Sequence, residues 1–232
     1  MNVVITGASR GIGQSIAEGF AKKGAHLFLC ARNMEKTMTW QQELMKKYAI
    51  SISSFDADLS NPTEVKAFAQ HVLNATDQID ILINNTGTYE PGSTYNEAEG
   101  QLEKMLNVNL FSAYHLTRAL IGSMIKKKSG HIFNICSIAS LNAYPNGGSY
   151  SISKWALAGF SKNLREEMKP HHIKVTAIYP GATFTSSWDG MDIDPKRILE
   201  TSDITKMIIA ASDLSMQACV EDIVIRPQLG DL

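Results

Sequence analysis

The sequence lacks the features that mark secreted, membrane-spanning and metal-binding proteins. Its three cysteines, Cys30, Cys136 and Cys219, are widely spaced and form neither a disulfide framework nor a CxxC metal pair. Such cysteines indicate buried free thiols in a reducing compartment. No stretch approaches the roughly 18 consecutive apolar residues that a membrane-spanning helix requires, and no export signal precedes the first glycine-rich stretch. We therefore expect a soluble, cytoplasmic protein without a membrane partner.

An excess of charge is also missing, because 22 Lys and Arg residues are balanced by 23 Asp and Glu residues. Nucleic-acid binding depends on a basic field, so we expect no nucleic-acid partner. The histidines show no HExxH spacing and the carboxylates are scattered, so no metal site is predicted. The remaining composition, with 44% hydrophobic and 19% charged residues, is typical of a globular protein with a sizeable core.

What the sequence does contain is a regular alternation of short apolar runs and longer stretches with helical spacing. The strand-like runs are Val3–Thr6, His26–Cys30, Ile50–Phe55, Ile79–Asn84, His131–Cys136, Ile173–Tyr179 and Ile223–Arg226. The helical stretches are Ile12–Lys23, Met34–Tyr48, Pro62–Ala75, Leu102–Lys127, Tyr150–Lys169 and Asp203–Ser212. This alternation predicts parallel strands joined by right-handed crossovers. We predict an α/β, single-domain Rossmann fold over residues 1–232, with a doubly wound parallel seven-stranded sheet and helices on both faces.

One irregular stretch, Gly181–Asp194, follows a predicted strand in the interior of the sequence. Irregular segments in that position often act as functional lids, although an ordinary surface excursion has the same composition. We predict a substrate lid at about residues 182–200, in which Trp188 and Met191 either cover an apolar substrate or pack the lid itself. Other positions expected to shape the pocket are the Gly92–Asn96 loop, Tyr144 and Asn146.

A glycine-rich turn with the spacing Gly7, Gly11 and Gly13 joins the first predicted strand to the first predicted helix. Gly7 permits a tight turn, Gly11 allows close approach of a pyrophosphate, and Gly13 lets the helix pack closely on the strand. The helix N-terminus adds free N–H groups and a positive dipole end, so the turn predicts anion binding. The alternative is a tight turn without a ligand. The turn also matches the GxSxG nucleophile elbow of hydrolases through Ser9, but it lacks the strands and oxyanion-hole loop that precede an elbow.

The end of the second predicted strand indicates which dinucleotide the turn binds. A carboxylate there would bind a ribose 2′-hydroxyl, whereas an arginine would accept a 2′-phosphate. The sequence reads Cys30-Ala31-Arg32, and Arg32 together with Arg10 could form a cationic clamp for the phosphate. NADP(H) is therefore preferred over NAD(H) as the cofactor, unless the two arginines are ordinary solvated surface residues.

A tyrosine and a lysine, Tyr150 and Lys154, lie four residues apart at the start of a predicted helix and therefore share one face. An adjacent ammonium and the positive nicotinamide of an oxidised cofactor would stabilise the phenolate of the tyrosine. The pair alone is common on protein surfaces. Ser137 adds to the pattern because it follows the fifth predicted strand, at the sheet edge where ligands bind in open α/β folds.

Together these motifs resemble the short-chain dehydrogenase/reductase family, in order and in approximate spacing, over almost the whole chain. The residues that carry the resemblance are Thr6–Gly13, Asn84-Asn85-Thr86-Gly87, Asn109, Ser137, Tyr150–Lys154 and Pro180-Gly181. The chain is most similar to single-domain members, which include 3-oxoacyl-acyl-carrier-protein reductases and related carbonyl reductases. The resemblance implies an NADP(H)-dependent enzyme that transfers hydride to or from a small-molecule carbonyl or alcohol substrate.

The resemblance also implies a role for each matching residue. Tyr150 would be the general acid in reduction and the base in oxidation, and Lys154 would lower its pKa and hold the nicotinamide ribose. Ser137 would orient the substrate oxygen, and Asn109 would complete a water-linked proton relay. The implied cofactor-binding residues are Gly7, Ser9, Arg10, Gly11, Ile12, Gly13, Arg32, Asp58, Leu59, Asn85, Gly87, Tyr150, Lys154, Pro180, Gly181, Thr183 and Thr185.

Two residues depart from the family pattern, since Thr86 replaces the usual alanine and Thr183 replaces a common aliphatic residue. The intact catalytic set argues against the alternative of a catalytically silent NADP(H)-binding regulatory or scaffold protein, and more strongly against a hydrolase that uses Ser9. The resemblance further implies a homodimer or homotetramer, with subunits paired through the predicted helices Leu102–Lys127 and Tyr150–Lys169.

Overall fold

A computed structural model describes residues 1–185, 188, 190 and 192–231. Its seven strands form one parallel sheet in the order β3-β2-β1-β4-β5-β6-β7. The strands are β1 (Asn2–Thr6), β2 (His26–Ala31), β3 (Ile52–Asp56), β4 (Ile81–Asn84), β5 (Gly130–Ile135), β6 (Ile173–Pro180) and β7 (Asp222–Ile225). Each strand overlaps one predicted apolar run, so the predicted seven-stranded parallel sheet is confirmed.

Helices cover both faces of this sheet, as the doubly wound prediction required. They are α1 (Gly11–Lys22), α2 (Met38–Tyr48), α3 (Pro62–Ala75), α4 (Gln101–Leu106), α5 (Ser112–Lys127), α6 (Gly148–Met168) and α7 (Thr201–Ser212). Successive side chains of β1 point to opposite faces of the sheet. Val3 and Ile5 enter the core under α1, α2 and α7, and Val4 enters the core under α3, α5 and α6. Among the described residues, no helix is both long enough and apolar enough to cross a bilayer.

The long helix predicted over Leu102–Lys127 is interrupted, which the sequence did not indicate. Residues Asn107–Phe111 between α4 and α5 adopt a π-helical turn. Asn109 lies in this turn, and its side chain is fully buried. Such turns are frequent at functional sites, because the extra residue redirects side chains that an α-helix would place elsewhere. Apolar spacing on either side of the turn is helical, so periodicity alone could not reveal it.

The order of the strands reverses between β1 and β4, where the chain crosses to the other half of the sheet. In open α/β sheets this switch point opens a crevice at the carboxyl ends of the strands. The loops after β1, β4, β5 and β6 all leave from that edge. They carry the glycine-rich turn, Asn85, Ser137 and Gly181, so the fold brings the separate sequence motifs to one side of the molecule.

The region predicted as a lid joins β6 to α7 and is irregular in its described part. It is closed at its base by a bridge between Thr183 and Leu199 and contains a short 3-10 helix at Pro195–Arg197. The Arg197 guanidinium donates hydrogen bonds to the carbonyl oxygens of residues 229, 230 and 231. Met191, predicted to cover substrate, lies outside the described residues. A lid that closes on substrate stays a prediction.

Candidate active site

The glycine-rich turn after β1 has a geometry that side chains would obstruct. Gly7 and Gly11 adopt positive φ angles of 63° and 58°, which disfavour other residues. A Cβ atom on Gly13 would clash with the carbonyl oxygen of Gly7 and would lie 2.5 Å from the Nδ2 atom of Asn85. The turn therefore brings the start of α1 closer to the strand than any residue larger than glycine would allow.

The start of α1 has the properties of an anion site. Arg10 precedes its first residue, the Arg10 side chain makes no capping hydrogen bond, and the first turn carries no acidic residue. An open cleft of about 460 Å³ lies there, lined by Arg10, Gly11 and Ser15 on one side and by Phe184 and Thr185 on the other. Free N–H groups, the helix dipole and an arginine together match the pyrophosphate of a dinucleotide.

The loop after β4 is tied directly to the glycine-rich turn. The side-chain amide of Asn85 donates to the carbonyl oxygens of Thr6 and Gly7, at 2.9 and 3.1 Å. The backbone N–H groups of Asn85 and Thr86 both donate to the Thr6 hydroxyl at 2.9 Å. Thr86 takes part in this contact through its backbone, which explains why its departure from the family alanine leaves the loop in place.

The residues predicted to bind the adenosine half of the cofactor follow strands β2 and β3. Arg32 is exposed directly after β2, and Leu59 is buried after β3. The pKa of the Asp58 carboxyl is lowered by hydrogen bonds from the backbone and side chain of Ser60 and, more weakly, by the charge of Arg32. The structure therefore places Arg32 and Asp58 near each other.

Ser137 and Tyr150 meet at the carboxyl end of β5. Ser137 is held by a turn in which its hydroxyl accepts from the Ala139 N–H at 3.2 Å and its own N–H donates to the Ser140 hydroxyl. Burial raises the pKa of Tyr150, and a hydrogen bond from the Ser137 side chain partly opposes this by lowering it. The Tyr150 phenol is therefore protonated at neutral pH, the form that can give a proton to a substrate oxygen.

Lys154 lies one turn further along α6 and is almost completely buried. Its ammonium donates to the carbonyl oxygen of Ile135 at 2.8 Å, and desolvation lowers its pKa to about 8. A Cβ atom on Gly87 would lie 3.4 Å from the Lys154 nitrogen and 3.3 Å from the Asn109 Oδ1 atom. Glycine at this position leaves the space beside the ammonium free.

Asn109 joins the β4 loop to α6. Its Oδ1 atom accepts from the Thr88 N–H at 2.8 Å, and its Nδ2 atom donates to the Thr88 carbonyl oxygen at 3.1 Å. The same Nδ2 atom donates to the Ser153 hydroxyl at 2.9 Å. These contacts reach the residue next to Lys154, and the water-linked relay through Lys154 stays a prediction.

The Pro180-Gly181 turn ends β6 and leads into the predicted lid. The Gly181 N–H donates to the Ile225 carbonyl oxygen at 2.7 Å, and a Cβ atom there would lie 2.9 Å from Pro227. Thr183 is buried and its hydroxyl donates to the Gly181 carbonyl oxygen.

Thr185 reaches back to the glycine-rich turn, since its Cγ2 atom would lie 3.2 Å from a Cβ atom on Gly11. Trp188 donates from its indole N–H to the Thr183 carbonyl oxygen.

One residue at this site, Glu97, was missed by the sequence analysis. Its carboxylate accepts from the Ser149 N–H at 2.7 Å and from the Ser149 hydroxyl, next to Tyr150 at the start of α6. A Cβ atom on Gly148 would collide with this carboxylate. A carboxylate at a helix N-terminus satisfies free N–H groups and the dipole. No motif indicates such a cap, because it comes from a residue far away in the sequence.

The structure gives no support to a nucleophilic role for Ser9. Within the described part of the chain, the histidine side-chain hydrogen bonds join His26 to Ser51, His71 to Ser53 and His131 to Thr176. Among the described residues no histidine hydrogen-bonds Ser9, so the structure shows no histidine beside it of the kind that activates a serine nucleophile.

Comparison with known proteins identifies the family to which this arrangement belongs. Residues 1–194 match the family model described as short chain dehydrogenase. The chain is 29% identical over 238 residues to sepiapterin reductase of Chlorobaculum tepidum, covering 99% of this chain and 97% of that protein. It is 35% identical over 178 residues to the 3-oxoacyl-acyl-carrier-protein reductase of Chlamydia trachomatis, covering 77% and 72%.

A solved structure agrees with these relatives over nearly the full length. The alcohol dehydrogenase of the archaeon Thermococcus sibiricus, complexed with 5-hydroxy-NADP, superposes with a TM-score of 0.91 at 27% identity. The match covers 98% of this chain and 96% of that one. The chain therefore belongs to the short-chain dehydrogenase/reductase family of oxidoreductases.

Proposed function

We propose that the protein is an NADP(H)-dependent reductase that converts a carbonyl group to an alcohol and catalyses the reverse oxidation. The observation that carries this proposal is the meeting of the Ser137 hydroxyl with the protonated Tyr150 phenol, one helical turn from the buried Lys154 ammonium. A substrate carbonyl oxygen between the two hydroxyls would be polarised and then protonated.

The residues divide between holding the cofactor and moving the proton. The glycine-rich turn and Arg10 would hold the pyrophosphate, and Lys154 would hold the nicotinamide ribose beside Gly87. When bound, NADPH supplies the hydride that the carbonyl carbon accepts, leaving NADP⁺. Tyr150 gives its proton to the oxygen, which completes the alcohol, and Ser137 keeps that oxygen in place.

The direct test is a screen of ketones and aldehydes against the purified protein while NADPH absorbance is followed. We expect NADPH to be consumed in equal amount to the alcohol formed. A protein that binds NADPH tightly but reduces no compound of the panel would instead be the silent regulatory or scaffold protein. Preserved Tyr150 and Ser137 geometry favours turnover over that alternative.

We expect NADPH to bind several-fold more tightly than NADH. Arg32 is exposed after β2, no carboxylate stands at Ala31, and the similar alcohol dehydrogenase was solved with an NADP derivative. Arg32→Asp should erase or reverse this preference, because it removes attraction and adds repulsion toward the 2′-phosphate. Calorimetric titration of both variants with both cofactors measures it.

The matched control is Lys36→Asp, which makes the same charge change four residues away on the same exposed segment. It should leave the ratio of the two affinities unchanged. Equal binding of NADPH and NADH to the wild-type protein would remove the arginine clamp from the proposal.

We expect the protein to form a homodimer or homotetramer with closed symmetry. Four large apolar side chains are exposed along the predicted pairing helices, namely Phe111, Tyr114, Ile152 and Trp155. Trp155, which is 51% exposed, should become buried when α6 pairs with its copy. Trp155→Glu should therefore shift the protein toward monomer in sedimentation at micromolar concentration, whereas Leu73→Glu on α3 should not. A wild-type monomer under those conditions would contradict the expectation.

A further inference from the structure

Two tyrosines stand beside Tyr150, namely Tyr89, which belongs to no motif, and Tyr144, which was expected from the sequence to shape the pocket. The ring of Tyr89 contacts the ring of Tyr150 edge to face, with centroids 4.8 Å apart and planes 83° apart. Tyr144 lies near both, since burial first and then the neighbouring Tyr89 and Tyr150 phenols raise the pKa of its hydroxyl. We call Tyr89, Tyr144 and Tyr150 the aromatic wall, in which the ring contact is that of Tyr89 with the proton-donating phenol.

This wall is held in place and is not a set of loose side chains. Tyr89 follows Thr88, whose backbone N–H and carbonyl are both bound by the buried side chain of Asn109. Tyr144 is fixed by a turn in which its carbonyl oxygen accepts from the Gly147 N–H at 3.1 Å. Its Cε1 atom would lie only 3.2 Å from a Cβ atom on Gly147, so the ring packs on the start of α6. Preorganised side chains of this kind are the ones that bind ligands selectively.

The wall nevertheless remains open on one side. Tyr89 is 48% exposed although its ring contacts Tyr150, and the neighbouring Tyr144 is 40% exposed. Small-molecule sites are lined mainly by aromatic and apolar side chains with a few polar groups that fix orientation. Here the rings supply the apolar surface, and the phenol hydroxyls of Tyr89 and Tyr144 supply polar groups.

The position of the wall limits what can be attached to the reacting carbonyl. Because the Tyr89 ring contacts the Tyr150 ring, a substituent on a carbonyl held by Tyr150 and Ser137 would come within reach of Tyr89. A planar ring conjugated to the carbonyl lies in the same plane as the carbonyl and can stack against, or meet the edge of, the Tyr89 ring. A saturated ring of the same size is thicker and has no π system, so it gains only the weaker C–H contacts with the Tyr89 ring.

We propose that Tyr89 and Tyr144 form a specificity site that selects carbonyl compounds whose carbonyl is conjugated to a planar ring bearing a polar group. The inference rests on the proposed function, since it names the substrate class of the same site. Tyr89 contributes the aromatic contact, and the Tyr144 and Tyr89 hydroxyls bind the polar group.

The first experiment compares two ketones that differ only in the ring, acetophenone and cyclohexyl methyl ketone. Aromatic pairs contribute about 0.5–1.5 kcal/mol beyond area burial, so Tyr89→Leu should lower kcat/KM about 2- to 10-fold more for acetophenone than for its saturated analogue. Comparing each variant with wild type on the same ketone removes the difference in intrinsic reactivity. Tyr89→Phe keeps the ring and should retain the wild-type ratio.

The second experiment tests the polar end of the site with 4′-hydroxyacetophenone and acetophenone. A hydrogen bond contributes about 0.5–1.5 kcal/mol, so Tyr144→Phe should lower kcat/KM about 2- to 10-fold more for the hydroxylated ketone. NADPH affinity of each variant should match that of wild type, and the thermal midpoint of Tyr144→Phe should change little, because this substitution keeps the ring.

The outcomes separate the two levels of the proposal. If wild type reduces alkyl ketones but not the aryl ketones, or if Tyr89→Leu lowers both rates equally, the specificity site is wrong while the reductase function stands. If wild type reduces no carbonyl compound at all, the reductase function and the specificity site both fail. A selective loss with aryl ketones, restored by Tyr89→Phe, supports the assignment.

Discussion

Replacing Tyr150 with phenylalanine should lower kcat for carbonyl reduction by about 10²–10⁴-fold, the usual contribution of a positioned general acid. The substitution removes the proton that the Ser137-bonded phenol would donate but keeps the ring that packs against Tyr89. NADPH affinity should change little, because the glycine-rich turn, Arg10 and Lys154 would still hold the cofactor. Steady-state kinetics combined with calorimetric NADPH titration measures both quantities.

The matched control is Tyr48→Phe at the end of α2, which makes the same chemical change far from the sheet edge that carries Ser137. It should keep wild-type turnover. A Tyr150→Phe protein with nearly full activity and unchanged NADPH affinity would mean that the proton comes from another group. A variant that also lost NADPH binding would show that the loss of rate was not specific to proton transfer.

Much of this site could be predicted because the fold itself assembles it. Gly7, Asn85 and Ser137 each follow a strand, and parallel strands place their carboxyl ends at one edge of the sheet. Tyr150 and Lys154 share a helix face through their spacing alone. The five inner strands were recognisable for a similar reason, since strands buried on both faces appear as short apolar runs, whereas the edge strands β3 and β7 are partly exposed.

Other parts could not be predicted, because they depend on contacts between distant residues. Glu97 caps α6 from another loop, and nothing near it in the sequence marks a helix terminus. The π-helical turn around Asn109 follows from the pairing of that side chain with Thr88 and Ser153, which apolar periodicity does not report. Tyr89 belongs to no motif, and only the folded structure shows that it touches Tyr150.

Replacing Lys154 should lower activity and cofactor affinity, while it removes the penalty for burying a charge in the folded protein. In the proposed function Lys154 holds the nicotinamide ribose, so Lys154→Met would remove a charge-assisted hydrogen bond. Such bonds contribute about 1.5–3 kcal/mol, and NADPH affinity should therefore fall about 10- to 100-fold. Turnover should fall as well, because the ammonium no longer stabilises charge that develops on Tyr150. Calorimetry and single-turnover kinetics separate the two losses.

The same substitution should make the stability of the cofactor-free protein less dependent on pH. Burial lowers the Lys154 pKa from 10.5 to about 8, so between these values the unfolded chain binds a proton that the native protein has released. Wild-type stability therefore gains about 3 kcal/mol from this group as the pH rises through that window, and below pH 8 the penalty for burying the charge is fully present. Lys154→Met lacks this gain. The unfolding free energy of the variant minus that of wild type, measured by urea unfolding, should therefore decrease as the pH rises. The control is Lys162→Met at an exposed position on the same helix, and its stability should follow the wild-type pH dependence. If the stability of Lys154→Met also followed the wild-type pH dependence, the Lys154 ammonium would lie in solvent and the inference of a buried charge would be wrong.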